Sequence, residues 1–258
     1  MRLPMVPIGH PRIAIGVGCL VAALGLAGCG DDDGDGGSPG GELPQGSEPV
    51  DLDPADFTTE IDNSFWPMSP GSRWVYDEID EDGNVLKVEV TVTEKTKTIA
   101  NGVEARVVRD VVTDDGEPVE ITDDWYAQDS EGNVWYLGED TAEYENGKVV
   151  TRAGSFEAGV DGAQPGVIMP ADPQDDTTYR QEYYAGEAED EGEILSLDQQ
   201  VAVPFGRFTD ALMTRDTNPL EPKVNELKFY ARNVGPVLTL DVGTVGGGRE
   251  ELVSYTPG

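Results

Sequence analysis

Leu86-Lys87-Val88-Glu89-Val90-Thr91-Val92-Thr93 alternates apolar and polar side chains without a break. Successive side chains of an extended chain point to opposite faces, so this octet presents one apolar face and one wet face. A helix would scatter the same residues around its circumference. Leu227, Phe229 and Ala231 alternate in the same way with Glu226, Lys228, Tyr230 and Arg232. That pattern predicts a second strand, packed through its apolar set.

Working outward from these runs, turn signals recur at Asp82-Gly83, Asn101-Gly102, Asp115-Gly116, Gly132-Asn133, Asn146-Gly147 and Asp161-Gly162, with 14 to 19 residues between successive glycines. Such pairs favour the positive-φ turns that join antiparallel strands. The runs between them are rich in Thr, Val, Tyr and Trp, as strands prefer. No sustained 3.6-residue period occurs after residue 28, and only Asp53-Pro54-Ala55-Asp56 has the Asp cap and early Pro of a short helix start. The expected fold is mostly β, with roughly a dozen strands and few or short helices, in one domain over residues 57–258. So many one-sided antiparallel strands should form a meander that curls into an open (half) barrel or a strongly curved sheet. Pro165-Gly166, Met169-Pro170 and Asp172-Pro173 break the strand pattern. They predict a long loop from Pro165 to Pro173, able to serve as a lid.

Residues 1–28 read as a signal peptide. Arg2 and Arg12 supply the basic region, and Ile13 to Leu26 is an apolar run too short to span a bilayer. The run ends in Leu26-Ala27-Gly28-Cys29, which looks like the lipobox of bacterial lipoproteins. Cys29 is then the lipidation site, and several acyl chains on it meet the requirement for stable membrane anchoring. Residues 29–56 form an acidic tether rich in Gly and Asp. Its composition cannot bury apolar surface and predicts disorder, with a reach of roughly 30 Å. Within it Asp31, Asp33, Asp35, Gly36 and Glu42 fit the spacing of an EF-hand calcium loop. Flanking helices are missing, Ser38 stands at position 8 where an apolar residue usually packs, and Pro39 takes position 9, so the match reads as chance.

Charge and composition exclude whole classes of function. Asp and Glu number 51 against 17 Lys and Arg, a net charge of −34. Nucleic acid needs clustered bases, and anionic lipid repels such a chain. A self-repelling monomer is expected. The single histidine is His10, and the cysteines are Cys19 and Cys29. The globular part therefore has no Ser-His-Asp triad, thiol nucleophile or His-ligated metal. What remains is carboxylate chemistry, oxygen-ligated metal, Lys or Tyr chemistry, and binding.

Two groups of residues are candidates for a site. Trp125, Tyr126, Trp135 and Tyr136, with Tyr183 and Tyr184, offer an aromatic face for a sugar or an apolar ligand. Neighbours in a strand point apart, so one aromatic of each pair should be core and the other on the wet or concave face. Glu139 and Asp140 stand ready to supply hydrogen bonds. Glu187, Glu189, Asp190, Glu191 and Glu193, with Asp175 and Asp176 upstream, form the densest acidic cluster and the candidate calcium site. A solvated acidic loop explains the same cluster. A carboxylate glycosidase is the enzymatic alternative, and it needs two acids flanking one cleft.

Several strings resemble a family of uncharacterised bacterial secreted proteins and lipoproteins: Pro70-Gly71-Ser72-Arg73-Trp74-Val75-Tyr76, D-W-Y-A-Q-D at Asp124–Asp129, G-N-V-W-Y-L-G-E-D at Gly132–Asp140, M-P-A-D-P at Met169–Pro173, V-P-F-G-R-F at Val203–Phe208 and Y-A-R-N-V-G-P-V at Tyr230–Val237. The family brings no established activity and no residue roles. A looser, architectural likeness joins V-P-x-G-x-F and the closing aromatic-V-G-x-V strand to half-barrel lipoproteins that shelter acyl chains. The sequence thus points to a lipid-anchored, extracytoplasmic, non-enzymatic module. Its partner is expected to be a small apolar or sugar ligand or an envelope protein, with no cofactor beyond calcium.

Overall fold

The computed structural model describes residues 43–80 and 83–258. The leader, Cys29, the calcium-loop pattern and Asp82 of the first turn lie outside the described residues. The chain enters through a single 3-10 turn, Pro54–Asp56, capped by Asp53 Oδ1 accepting from Ala55 N at 3.0 Å. A two-residue strand follows, β1 (Phe57–Thr58). Then comes a first meander of β2 (Arg73–Ile79), β3 (Val85–Thr98), β4 (Glu104–Asp114), β5 (Glu117–Asp129) and β6 (Val134–Glu145). Short strands make the crossing: β7 (Lys148–Thr151), β8 (Phe156–Glu157), β9 (Gln164–Met169), β10 (Thr178–Arg180) and β11 (Glu182–Tyr183). A second meander completes the chain, with β12 (Glu191–Val203), β13 (Gly206–Asn218), β14 (Glu221–Ala231), β15 (Gly235–Asp241) and β16 (Arg249–Thr256).

The hairpins follow the turn signals. Asp115 and Gly116 between β4 and β5 have φ of 48° and 86°, and Asn146 and Gly147 between β6 and β7 have 51° and 71°. Two successive positive-φ residues give the turn whose twist matches that of paired strands. Every strand pair is antiparallel, in the order β10-β12-β13-β14-β15-β16-β2-β3-β4-β5-β6-β9-β11. The two meanders join where β16 pairs with β2, from Arg249↔Ile79 to Thr256↔Arg73. The result is a barrel closed almost all the way round.

The remaining seam lies between β9 and β12. One segment fills it by changing partner midway. Thr178, Tyr179 and Arg180 pair with β12, and Glu182 and Tyr183 pair with β9. Arg180 is 1% exposed. Its guanidinium donates to Pro165 O and to the carbonyls of Gly46 and Glu48. Its backbone N–H donates to Pro44 O at 2.7 Å. Residues 43–50 thus form a strap along the seam.

Three expectations need correction. The strap belongs to the tether that was expected to be disordered through Asp56; from Leu43 onward it has backbone partners on the barrel, which offset the cost of ordering it. The loop and lid expected over Pro165–Pro173 is, for its first part, strand β9, packed against β6 and β11. In β14 the packed face is the opposite one. Tyr230 is 1% exposed, while Leu227 and Phe229 are only partly covered. Glu226, Lys228 and Tyr230 point into the barrel because its interior is partly polar.

Candidate functional site

The interior site is assembled by strand parity. Trp74 and Tyr76 on β2, Val90 on β3, Val108 and Asp110 on β4, and Asp124 and Tyr126 on β5 are spaced by two. They face Lys228 and Tyr230 of β14 and Glu250 of β16 across a cavity of about 210 Å3. Trp66 and Met68, from the loop before β2, close its apolar end. Trp66 lies 5.8 Å, centroid to centroid, from both Tyr126 and Tyr230. A second hollow of about 220 Å3, lined by Glu78, Glu226 and Arg249, shares Lys228, Thr239 and Glu250 with the first and leads outward.

One end of the cavity is therefore aromatic and the other charged. Lys228 Nζ lies 3.0 Å from Asp216 and 3.2 Å from Glu226, and these two acids hold its ammonium against the opposing effect of burial. Asp216 is fixed in turn by Thr214 Oγ1 at 2.8 Å and Gln181 Nε2 at 3.2 Å. Lys228 is thus already engaged, away from the opposite wall. There Asp110 is held well above the ordinary carboxylate range by burial and by the charge of Asp124. Burial raises Asp124 to about 7, against a hydrogen bond from Tyr136. Burial, with the nearby charge of Glu78, raises Glu250 to about 8. Several acids in one low-dielectric space disfavour one another's charge.

Most buried donors here have partners. Trp74 Nε1 donates to Val234 O at 2.7 Å, and Tyr76 Oη to Pro236 O at 3.0 Å. Trp66 Nε1 and Asp110 Oδ1 are buried without a hydrogen-bond partner, and both residues line the cavity. An unpaired donor and an unpaired acceptor in one hollow are costly unless something enters to meet them.

The expected aromatic residues divide between the two faces of the wall, but all four of the paired ones are buried. Tyr126 and Tyr136 point inward and stack at 5.0 Å. Trp125 is covered on the outside by Lys97, whose Nζ lies 3.6 Å from the ring centroid. Trp135 donates from Nε1 to Asp129 Oδ2 at 2.7 Å and meets Phe57 edge-on. Trp125 and Trp135 are structural and do not form an exposed binding face. Glu139 turns inward and accepts from Tyr136 Oη at 2.7 Å; the same hydroxyl lies 2.8 Å from Asp124. Gly138, with φ of 131°, absorbs the parity change that puts Glu139 on the same side as Tyr136. Burial and the charge of Asp124 push Glu139 up to about 8. Asp140 points outward and pairs with Arg152.

The expected calcium cluster does not assemble. Glu193 pairs with Arg215 at 3.1 Å, and Glu189 accepts from Gly186 N. Asp190, raised to about 6 by burial, is hydrogen-bonded to the carboxyl of Glu182, which burial and the charge of Asp190 push well up. Glu189, Glu191 and Tyr183 line a recess of about 260 Å3 beside the strap, and Tyr184 packs partly against the core. Among the described residues no group of three or more acidic side chains is placed to hold a metal ion. Sequence reasoning missed Asp110, Lys228 and Glu250. Each is a charged residue at an alternating position of a strand, and the pattern alone assigned such positions to solvent.

No family model matches the chain. No curated protein is similar to it. Solved structures give remote likenesses. One is a "putative lipoprotein" from Parabacteroides distasonis, 16% identical, with a TM-score of 0.41 over 75% of this chain and 99% of the other. Another is a "putative exported protein with YmcC-like fold" from Bacteroides fragilis, 16% identical, with a TM-score of 0.42 over 76% and 100%. A third is a β-barrel-like protein of a domain of unknown function from Brucella abortus, 15% identical, with a TM-score of 0.35 over 71% and 96%.

Proposed function

We propose that this chain is a lipid-anchored, extracytoplasmic binding protein of a bacterial envelope, with the barrel interior holding a small amphipathic ligand and no catalytic step. The observation that carries the reading is the interior cavity, with Trp66 Nε1 and Asp110 Oδ1 left unpaired in its wall. The anchoring rests on the sequence Leu26-Ala27-Gly28-Cys29 after an apolar run. A cavity lined by aromatic rings with a few convergent polar groups suits a small molecule that is apolar at one end. The glycosidase alternative is weaker, because it needs one ionised carboxylate beside a protonated one, and Asp110, Asp124 and Glu250 are all pushed toward the protonated form.

Two measurements test this. Native mass spectrometry of protein taken from its envelope should find a bound small molecule, lost in Val108→Trp, which fills the cavity. An empty wild-type barrel that melts identically with and without envelope extract would reject the ligand. Labelling with radioactive palmitate should mark the wild type and leave Cys29→Ser unmarked.

A further inference from the structure

We infer that the ligand is an organic cation: an amine or quaternary ammonium carrying an apolar group, its charge set among Asp110, Asp124 and Glu250 and its apolar part against Trp66, Trp74, Tyr126 and Tyr230. This deepens the reading above and rests on it.

Four observations favour a cation over other amphipathic ligands. The first is charge balance. Asp110, Asp124 and Glu250 line the cavity, and the base beside them, Lys228, is already bonded to two acids on its own side. A fatty acid or phosphate would meet three carboxyls and no available base. The second is the aromatic wall, whose ring faces attract a cation, best when water is excluded. Tyr126 and Tyr230 sit against Trp66, and the stack continues to Tyr136. The third is the pair of unpaired atoms. Asp110 Oδ1 is the acceptor that an ammonium N–H needs, and Trp66 Nε1 suits a hydroxyl or carbonyl beside the charge. The fourth is protonation. Burial disfavours the ionised form of each of these carboxyls, and a cation set beside them offsets that penalty as their protons leave.

A neutral sugar also suits aromatic rings and acids, so the test must separate charge from shape. The probes are octylammonium, octyltrimethylammonium, octanoate and octyl glucoside, each added to the purified protein at pH 8, with methylammonium chloride as the ionic-strength control. Trp66 and Trp74 report binding by fluorescence, and melting reports it independently. Octylammonium and its trimethyl analogue should bind at least tenfold more tightly than octanoate or octyl glucoside. Asp110→Asn and Asp124→Asn should each lose tenfold or more of that affinity while melting no lower than the wild type, since each replaces an acid whose charged form burial disfavours. Equal binding of octyl glucoside and octylammonium, or an Asp110→Asn variant with unchanged affinity, would overturn the cation and leave the ligand-binding reading intact. If no probe binds and the barrel taken from its envelope carries no small molecule, both fall together.

Discussion

The junction between β16 and β2 and the seam between β9 and β12 both complete the same barrel, by different means. The first is a backbone ladder from Arg249 to Thr256, with Leu252 fully buried beneath it. The second has no such ladder. One segment pairs with each side in turn, and the guanidinium of Arg180 gathers carbonyls from β9 and from the strap. A ladder spreads its stabilisation over many modest bonds. A plug concentrates it in a few groups, so the seam should respond to single substitutions locally and the ladder globally.

The largest effect is expected at Gly166. A Cβ there would stand 2.3 Å from the carbonyl of Gln181 and 2.5 Å from Arg180 O. These are backbone atoms and cannot step aside, so Gly166→Val should cost more than about 4 kcal/mol, read by urea denaturation. On the ladder side, Leu252→Ala should cost about 3 kcal/mol with the urea slope unchanged, because the whole sheet unfolds together. Arg180→Met should cost about 2 kcal/mol by leaving buried carbonyls unpaired. Its hydrogen exchange should rise at 178–183 and along the strap while β16 stays protected. Equal loss of protection at both junctions would erase the distinction.

The smallest effect is that of pH, and it touches both junctions. Glu250 on the ladder side and Asp190 at the seam are raised by burial to about 8 and about 6. An unfolded carboxyl titrates near 4. The folded state therefore holds more protons than the unfolded state between pH 5 and 8, and stability falls as pH rises through that window. The loss is expected to be about 1 kcal/mol per group for each pH unit within its window, seen as a lower Tm at pH 8 than at pH 5. Glu250→Gln should flatten the later part of the fall, toward pH 8, and Asp190→Asn the earlier part. Glu89, lowered by its hydrogen bond from Arg73, acts in the opposite sense, and its contribution is lost only in acid.

Much of the shell was legible because its signals are local. Asp115-Gly116 and Asn146-Gly147 set positive φ whatever surrounds them, and Leu86 to Val92 show their inward face by spacing alone. The seam was not legible, because Pro165-Gly166 reads as a turn. Here the pair serves close approach: Gly166 lets the closing segment pass, and Pro165 O accepts from Arg180. The interior site was half legible. Tyr126 and Tyr136 stood out as aromatics, but Asp110, Lys228 and Glu250 did not, since alternation says which residues share a face and not which face looks inward. Lys228 becomes an interior residue only once Asp216 and Glu226 are placed beside it.

The pairing of β2 with β16 also sets a timetable. Arg73 and Thr256 are partners across almost the entire strand region of the chain, and contacts so distant in sequence form slowly. Each meander can hairpin as it emerges, yet no enclosed hollow exists until the last strand docks on the first long one. Whatever occupies the interior can be enclosed only at that late docking, and a molecule present then can be enfolded at the moment of closure.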